Sequence, residues 1–168
     1  FNNRSYAYAL KWFNKINENN LTLYSQEEFN FKKAYALFAV GSFAKSRTYF
    51  SKLLDSDKYG AQAKYYYGYM AYQDDDYSEA DKYLNQLADN KGFDDDIPYY
   101  IANIKFKTGK FQEAIDAALP LLEKSNGIQQ SELSKIIGES YFNLNEFENA
   151  TPYLLDYKGK KGKWNNTD

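Results

Sequence analysis

Residues 102–121 read ANIKFKTGKFQEAIDAALPL, and this stretch decides the fold. It opens with a small residue, Ala102, and has an aromatic ring nine positions later at Phe111. A second small residue follows at Ala114, and the next apolar position on that side is Ala118, four residues on. Intervals of three and four residues are typical of one face of an α-helix, so the stretch predicts two helices joined by a turn.

The same pattern occurs four times along the chain, and its starting residues are 34, 34 and 36 positions apart. The four segments are Ala34–Phe43–Ser46–Phe50–Leu53, Gly68–Tyr77–Ala80–Leu84–Leu87, Ala102–Phe111–Ala114–Ala118–Leu121 and Gly138–Phe147–Ala150–Leu154–Tyr157. A fixed period of this length is the signature of a helical repeat, so we expect four antiparallel hairpins in tandem.

Each residue type in the pattern has an expected role in a hairpin. The two small residues let the helices approach closely where they cross, and the aromatic residue that opens the second helix is expected to fill the hairpin. Helix starts are predicted at Asp76-Tyr-Ser-Glu79, Asn145-Glu-Phe-Glu148 and Ser25-Gln-Glu-Glu28, since each places an N-cap residue three positions before a carboxylate. Pro120 and Pro152 fall inside second helices, where the missing N–H predicts a kink or an early end.

These residues resemble the tetratricopeptide repeat family, whose units are helix–turn–helix hairpins. The resemblance covers roughly residues 4–157 and implies an all-α, right-handed superhelical solenoid of antiparallel hairpins. The tryptophan that marks the first helix of the family is replaced here by Asn30, Lys64, Pro98 and Ser134. The repeats are therefore similar to the divergent kind found in bacterial multi-repeat proteins, including outer-membrane assembly lipoproteins.

The expected organisation is an array over residues 1–157. A lone second helix is expected over residues 4–18, where Tyr6–Ala9–Phe13–Ile16 matches the second-helix pattern. The hairpins are expected over about 25–55, 60–88, 95–124 and 128–157. Residues 158–168, with a lysine run over 158–163, are interpreted as a connector towards a further repeat, so the chain is expected to be a fragment of a longer protein.

Composition excludes several kinds of function. The net charge of −2 provides no global field for nucleic acid or an anionic membrane. There is no Cys and no His, which removes thiolate metal sites, cysteine nucleophiles and the usual base of a catalytic triad. We therefore expect no enzyme activity, no cofactor, no metal site and no insertion into a membrane.

The resemblance implies a partner-binding groove lined by the first helices of the hairpins. Carried over position by position, the expected groove residues are Phe31, Tyr35, Phe38, Tyr65, Tyr69, Tyr72, Tyr99, Asn103, Phe106, Lys135 and Phe142. Tyr65, Tyr69 and Tyr72 share one helix face, and tyrosine offers a large contact area at a low entropic cost. The alternative is that these rings only fill space inside the superhelix.

Three other motifs favour structural roles. Of the Lys and Asn positions that a chaperone-tail clamp requires, only Asn103 and Lys135 are present, in separate repeats. Asp74–Asp76 and Asp94–Asp96 lack the ligand spacing of a calcium loop and suit helix N-termini instead. The lysine run reads as a solvated linker.

The leading hypothesis is a non-catalytic protein-interaction scaffold that binds a peptide or partner segment in the groove. One alternative is a structural arm that packs on other domains of the same full-length chain. Another is glycan binding through stacked tyrosines. The resemblance and the lack of Cys favour the bacterial periplasm or outer-membrane periphery, with the cytoplasm as the alternative.

Overall fold

The computed structural model describes residues 3–88, 90, 92, 93 and 96–159, which form nine α-helices and no β-strand. The helices are α1 (Asn3–Phe13), α2 (Leu23–Ala39), α3 (Phe43–Phe50), α4 (Gly60–Gln73), α5 (Tyr77–Leu84), α6 (Ile97–Lys107), α7 (Phe111–Leu122), α8 (Gly127–Asn143) and α9 (Phe147–Gly159). Short 3₁₀ helices cover Glu18–Asn20, Ser51–Leu53 and Asn85–Leu87. The prediction of an all-α helical repeat is confirmed.

The chain divides into two compact units, one up to Tyr83 and one from Leu84 onwards. The core of the first unit contains Ala34, Phe50, Leu53, Ala63 and Met70. The core of the second contains Ala102, Ala114, Ala118, Leu133, Ile136 and Ile137. Ala34, Ala102 and Ala114, three of the small residues that the sequence pattern singled out, thus belong to these cores.

The small residues of all four hairpins are buried, as the expected close helix crossings require. In the first hairpin the Ser46 hydroxyl donates a 2.8 Å hydrogen bond to the carbonyl oxygen of Ala34, which joins α3 directly to the backbone of α2. In the fourth hairpin a methyl group added at Gly138 would lie 2.8 Å from Cδ2 of Leu154 and 3.1 Å from its backbone nitrogen. Two helices can approach this closely only where one of them lacks a side chain.

The turn of each hairpin contains a residue in the left-handed conformation, seven positions after the first small residue. These residues are Gly41, Asp75, Gly109 and Asn145, with φ angles of 78°, 59°, 76° and 63°. The residue that follows each of them donates its backbone N–H to a carbonyl in the last turn of the first helix, at 2.8–2.9 Å. This is the Schellman arrangement, which ends a helix by satisfying its free carbonyls.

Two of the expected helix starts are wrong and one is confirmed. Asn145 ends α8 in the left-handed conformation, so it does not cap α9. α2 begins at Leu23, before Ser25, because the Thr22 hydroxyl accepts a 3.3 Å hydrogen bond from the Ser25 backbone N–H. Asp76 does cap α5, since its carboxylate accepts from the Glu79 N–H at 3.2 Å.

The two prolines affect their helices differently. α7 ends at Leu122, two residues after Pro120, whereas α9 continues to Gly159, well beyond Pro152. Of the two expected effects, a kink or an early end, the early end is therefore excluded at Pro152. Both prolines are exposed, as are Asp116 and Glu148 four positions before them, so water can hydrate the carbonyls that lose an N–H partner.

The aromatic residue that opens each second helix does not fill the hairpin, which corrects the sequence-based expectation. Phe43 and Phe147 are 36% and 52% exposed. Each opening ring packs instead against a first-helix ring five positions earlier, across the turn. The pairs are Phe38–Phe43, Tyr72–Tyr77, Phe106–Phe111 and Phe142–Phe147, with ring centroids 5.5, 6.0, 6.2 and 5.2 Å apart. The interior is filled further along the second helix, for example by Phe50, which is fully buried.

The crossing at Gly138 gives a prediction about stability. Gly138→Ala should overpack α8 against Leu154, and Leu154→Ala should remove most of that clash. We expect the two substitutions to be coupled by about 1–2 kcal/mol in a double-mutant cycle measured by urea unfolding. Additive effects would show that the crossing has room for the methyl group.

Candidate partner-binding surface

The three expected groove residues of α2 are half-buried, and each contacts rings on other helices. Phe31 stacks on Tyr59 with centroids 4.7 Å apart and planes at 20°. Tyr35 meets Tyr6 of α1 and Tyr66 of α4 edge-on, at 5.6 and 5.5 Å. Phe38 lies 4.9 Å from Tyr66 and 5.8 Å from Tyr69. These rings therefore hold α2 to its neighbours and also present part of their surface to solvent.

Tyr65, Tyr69 and Tyr72 of α4 are likewise half-buried. The ring between them that does most of the packing is Tyr66, which the sequence-based set omitted. Tyr66 stacks on Phe50 with centroids 5.1 Å apart and planes at 15°, and burial raises its pKa to about 12. The helical spacing Ala63–Tyr66–Met70 was the available signal, because it continues the buried side of α4.

An open apolar cleft lies between α1 and α2. Its volume is about 230 Å³, and its lining is almost entirely apolar. The lining residues are Tyr6, Ala9, Phe13, Phe31, Lys32, Tyr35 and Ala36. The cleft thus joins two of the expected groove residues, Phe31 and Tyr35, to a wall from α1 that the sequence-based set did not include. Tyr6, Ala9 and Phe13 of that wall belong to the second-helix pattern noted in the sequence, but the pattern does not say which helix they face.

The candidate residues of the second unit differ in exposure. Tyr99 and Phe106 pack against the core, and Asn103 is only 7% exposed. Burial raises the pKa of Tyr99, as does the charge of Glu132, while a hydrogen bond with Asn103 opposes the rise. Asn103 therefore hydrogen-bonds with Tyr99 inside the fold, and its side chain is too buried to contact a partner in this conformation.

Lys135 and Phe142 of α8 have different surroundings. The Lys135 ammonium lies 3.7 Å from a Glu139 carboxylate oxygen and 5.3 Å from the ring centre of Tyr157. Phe142 is 56% exposed and contacts Phe147 across the turn. Of the described candidates in this unit, Phe142 offers the most open ring.

A buried lysine fixes the segment between α1 and α2. The Lys33 side chain is 8% exposed, and its ammonium lies 5.0 and 4.6 Å from the ring centres of Phe29 and Tyr49. It also donates to Glu18 at 3.2 Å, and the Tyr49 hydroxyl donates to the same oxygen at 3.0 Å. Glu18 belongs to the 3₁₀ helix after α1, so this carboxylate ties that segment to the first hairpin.

The pKa shifts in this cluster agree in direction. Burial opposes the charged form of Glu18, but hydrogen bonds from Tyr49 and Lys33 outweigh it and lower the pKa of the carboxyl. Burial opposes the charged form of Lys33 too, and hydrogen bonds with Tyr49 and Glu18 raise its pKa nonetheless. Both groups are therefore charged at neutral pH.

The aspartates of the α4–α5 turn have separate partners. Asp74 pairs with Arg47 at 3.1 Å, Asp75 accepts from the Tyr77 hydroxyl at 2.5 Å, and Asp76 caps α5. Of the second run, Asp94 and Asp95 lie outside the described residues, and Asp96 precedes α6. Lys158 lies in the last turn of α9, and the rest of the lysine run is outside the described part. Among described residues, no group of three or more acidic side chains is placed to hold a metal ion.

Part of the chain matches a known family of helical repeats. The sequence model of the tetratricopeptide repeat family matches residues 31–95, which include the second half of α2 and all of α3, α4 and α5. This match identifies tetratricopeptide repeat sequence within residues 31–95. Such repeats are generally protein-interaction scaffolds and are generally non-catalytic. No curated protein sequence matches the chain significantly.

Solved structures of MamA have a similar fold. MamA from AMB-1 has a TM-score of 0.78 at 15% identity, covering 92% of this chain and 82% of its own. MamA from MSR-1 has a TM-score of 0.74 at 16% identity, covering 92% and 86%. At this identity the likeness establishes the fold of the repeats alone.

In the described residues, no helix is long and apolar enough to cross a membrane.

The charged cluster gives a prediction about pH. A folded-state pKa below the unfolded value means that Glu18 stabilises the repeat above its ordinary pKa of 4.5, and this contribution is lost as the pH falls. Glu18→Gln leaves the buried ammonium of Lys33 with fewer partners and should cost about 1–2 kcal/mol at neutral pH. Urea unfolding at about pH 7 and about pH 3.5 should show that the difference between wild type and variant shrinks on acidification.

Glu28→Gln is the matched control for Glu18→Gln. Glu28 also pairs with a lysine, Lys32, but both side chains are exposed to solvent. An exposed pair contributes little, so this variant should follow the wild type at both pH values. If the two variants behave alike, Glu18 does not anchor the segment.

The half-buried rings give a prediction about stability. Tyr69→Ala should cost about 1–2 kcal/mol, because part of its ring already contacts water. Phe50→Ala should cost about 3–5 kcal/mol, because Phe50 is fully buried. Thermal melting of the two variants provides the comparison, and equal losses would place Tyr69 in the core.

Proposed function

We propose that this chain is a non-catalytic interaction scaffold in which the first helices of the repeats bind a peptide or a segment of a partner protein. The cleft between α1 and α2 is the observation that carries this proposal, because it is the apolar hollow that contains two expected groove residues, Phe31 and Tyr35. Its volume of about 230 Å³ suits one large apolar side chain, such as leucine or phenylalanine. Buried apolar anchors of this kind supply most of the affinity in peptide complexes.

Polar groups around the cleft suit an extended peptide. Lys32 lies at its edge and pairs with Glu28, four residues earlier on the exposed side of α2. Tyr6 and Tyr35 meet edge-on, so each brings a hydroxyl-bearing ring to the lining. Lys32 therefore places one polar group at the edge of an otherwise apolar cleft, where it can contact the backbone of a bound peptide.

A structural arm is the second candidate, and the ring contacts favour it for part of the surface. Phe31, Tyr35 and Phe38 each pack on a ring of another helix, and Tyr66 connects the last two. Rings that already contact one another expose less apolar surface to water, so a groove lined by them costs less free energy when no ligand is bound. In this alternative the partner is another domain of the same full-length chain.

We propose the bacterial periplasm or the outer-membrane periphery as the location, with the cytoplasm as the alternative. The absence of Cys and the resemblance to envelope repeats support this proposal. The net charge of −2 supports a protein partner over a nucleic acid.

The test fills the cleft without removing any contact. Ala9 lines the cleft, so Ala9→Phe should occupy the space meant for a ligand side chain. Peptides are first selected from a displayed library on the wild-type chain, and their affinities are then measured by isothermal titration calorimetry. We expect Ala9→Phe to weaken binding at least about tenfold, which corresponds to about 1.4 kcal/mol.

Ala7→Phe is the matched control, since Ala7 lies on the exposed side of the same helix. It should leave the affinity unchanged, and circular dichroism should show both variants folded. Equal binding by both variants would move the site away from the cleft. Failure of the library to yield any peptide would favour the structural arm.

A further inference from the structure

α1 presents an aromatic and basic face to solvent. Tyr8 and Trp12 lie four residues apart, are 61% and 53% exposed, and meet edge-on at 6.3 Å. The Lys15 ammonium lies 4.6 Å from the centre of the indole ring. Residues 3–17 contain three basic residues and no acidic residue, although the chain as a whole has a net charge of −2. This segment is therefore a local positive patch with large exposed rings.

The α8–α9 turn presents an aromatic and acidic face. Phe142 and Phe147 form the most exposed of the four ring pairs at hairpin turns, at 56% and 52%. Residues 136–157 contain four acidic residues and no basic residue. Glu139 is near Lys135, so Glu146 and Glu148 provide most of the negative charge at the turn. A cleft of about 390 Å³ lies beside Phe147, lined by residues 145–149.

We propose that α1 of one copy of this chain docks on the α8–α9 turn of a second copy. Each face pairs exposed rings with charges of a single sign, and the two signs are opposite. Contact would cover Trp12 and Phe147, which are costly to leave in water, and would bring Lys11 and Lys15 towards Glu146 and Glu148. The nearest charges of the other sign are already paired within the chain, Glu18 with Lys33 beside the α1 face and Lys135 with Glu139 beside the turn.

The contact joins two different surfaces, so it is heterologous. Each copy that binds through α1 leaves its own turn free for another copy, and assembly can continue beyond a dimer. The two faces are small, so the association should be weak and should fall with salt, as screening shortens the range of the charges.

Charge reversal tests the pairing. One variant combines Lys11→Glu with Lys15→Glu, and the other combines Glu146→Lys with Glu148→Lys. Each variant alone brings like charges together and should self-associate at least about tenfold more weakly than wild type. Mixed together, each variant meets an opposite charge on the other, so association should be restored only in the mixture. Sedimentation velocity over a range of protein concentrations measures the association of each variant alone and of their mixture.

Two further variants separate this contact from general stickiness. Trp12→Ala removes the largest exposed ring of the α1 face and should weaken association. Tyr24→Ala removes a ring that is 65% exposed on α2, outside both faces, and should leave association unchanged. Lys45→Glu is the matched control for the charge reversals, since Lys45 is exposed on α3, outside both faces. It should likewise leave association unchanged.

Several outcomes would overturn the proposal. One is a wild-type chain that stays monomeric up to roughly 1 mM at low salt. Another is self-association that survives both charge reversals, or a mixture that fails to associate. A wild-type monomer that instead binds vesicles containing phosphatidylglycerol, and loses that binding in Trp12→Ala, would assign the α1 face to an anionic lipid surface.

Discussion

The close crossing of two helices at a pair of small residues is the constraint on which the rest of this structure depends. At the first crossing a Ser46 side chain reaches the backbone of α2, and at the fourth there is no room for a methyl group on Gly138. In each hairpin the two crossing helices are neighbours in sequence, joined by a short turn. The left-handed residue seven positions after the first small residue provides that turn in every hairpin. Crossing and turn together fix the repeat length.

Small residues at the crossings bury little apolar area, so other residues must supply the hydrophobic stabilisation. The chain does this with 18 Tyr and 12 Phe, many of which pack on one another between hairpins. Tyr66 illustrates the arrangement, since its ring contacts Phe50 of α3 and Tyr35 and Phe38 of α2. An aromatic ring is large enough to span the gap between hairpins and still leave an edge in water. In the first unit, the rings that pack the hairpins together are therefore the same rings that we propose to bind a partner.

The periodic features of this fold could be predicted from the sequence, and the non-local ones could not. Ala34, Gly68, Ala102 and Gly138 identified the crossings because close approach demands a small residue at a fixed spacing. Asn145 was misassigned because Asn suits both a helix N-cap and a left-handed turn, and local spacing does not separate the two. For the candidate site, the sequence placed Phe31 and Tyr35 on one face of α2, and both line the cleft. It missed the wall from α1 and the packing role of Tyr66, since both depend on contacts between helices far apart in sequence.

The cleft between α1 and α2 depends on an electrostatic contact that lies outside it. α1 provides one wall of the cleft, and its ring contacts with α2 are Tyr6–Tyr35 and Phe13–Phe29. The segment that follows α1 is held by Glu18, whose carboxylate accepts from Lys33 and Tyr49 of the first hairpin. Lys33 is buried between rings, so its charged form needs the Glu18 carboxylate as a partner. This ion pair holds the segment between α1 and α2 in place. The shape of the apolar cleft between α1 and α2 thus depends on the need to neutralise one buried ammonium group.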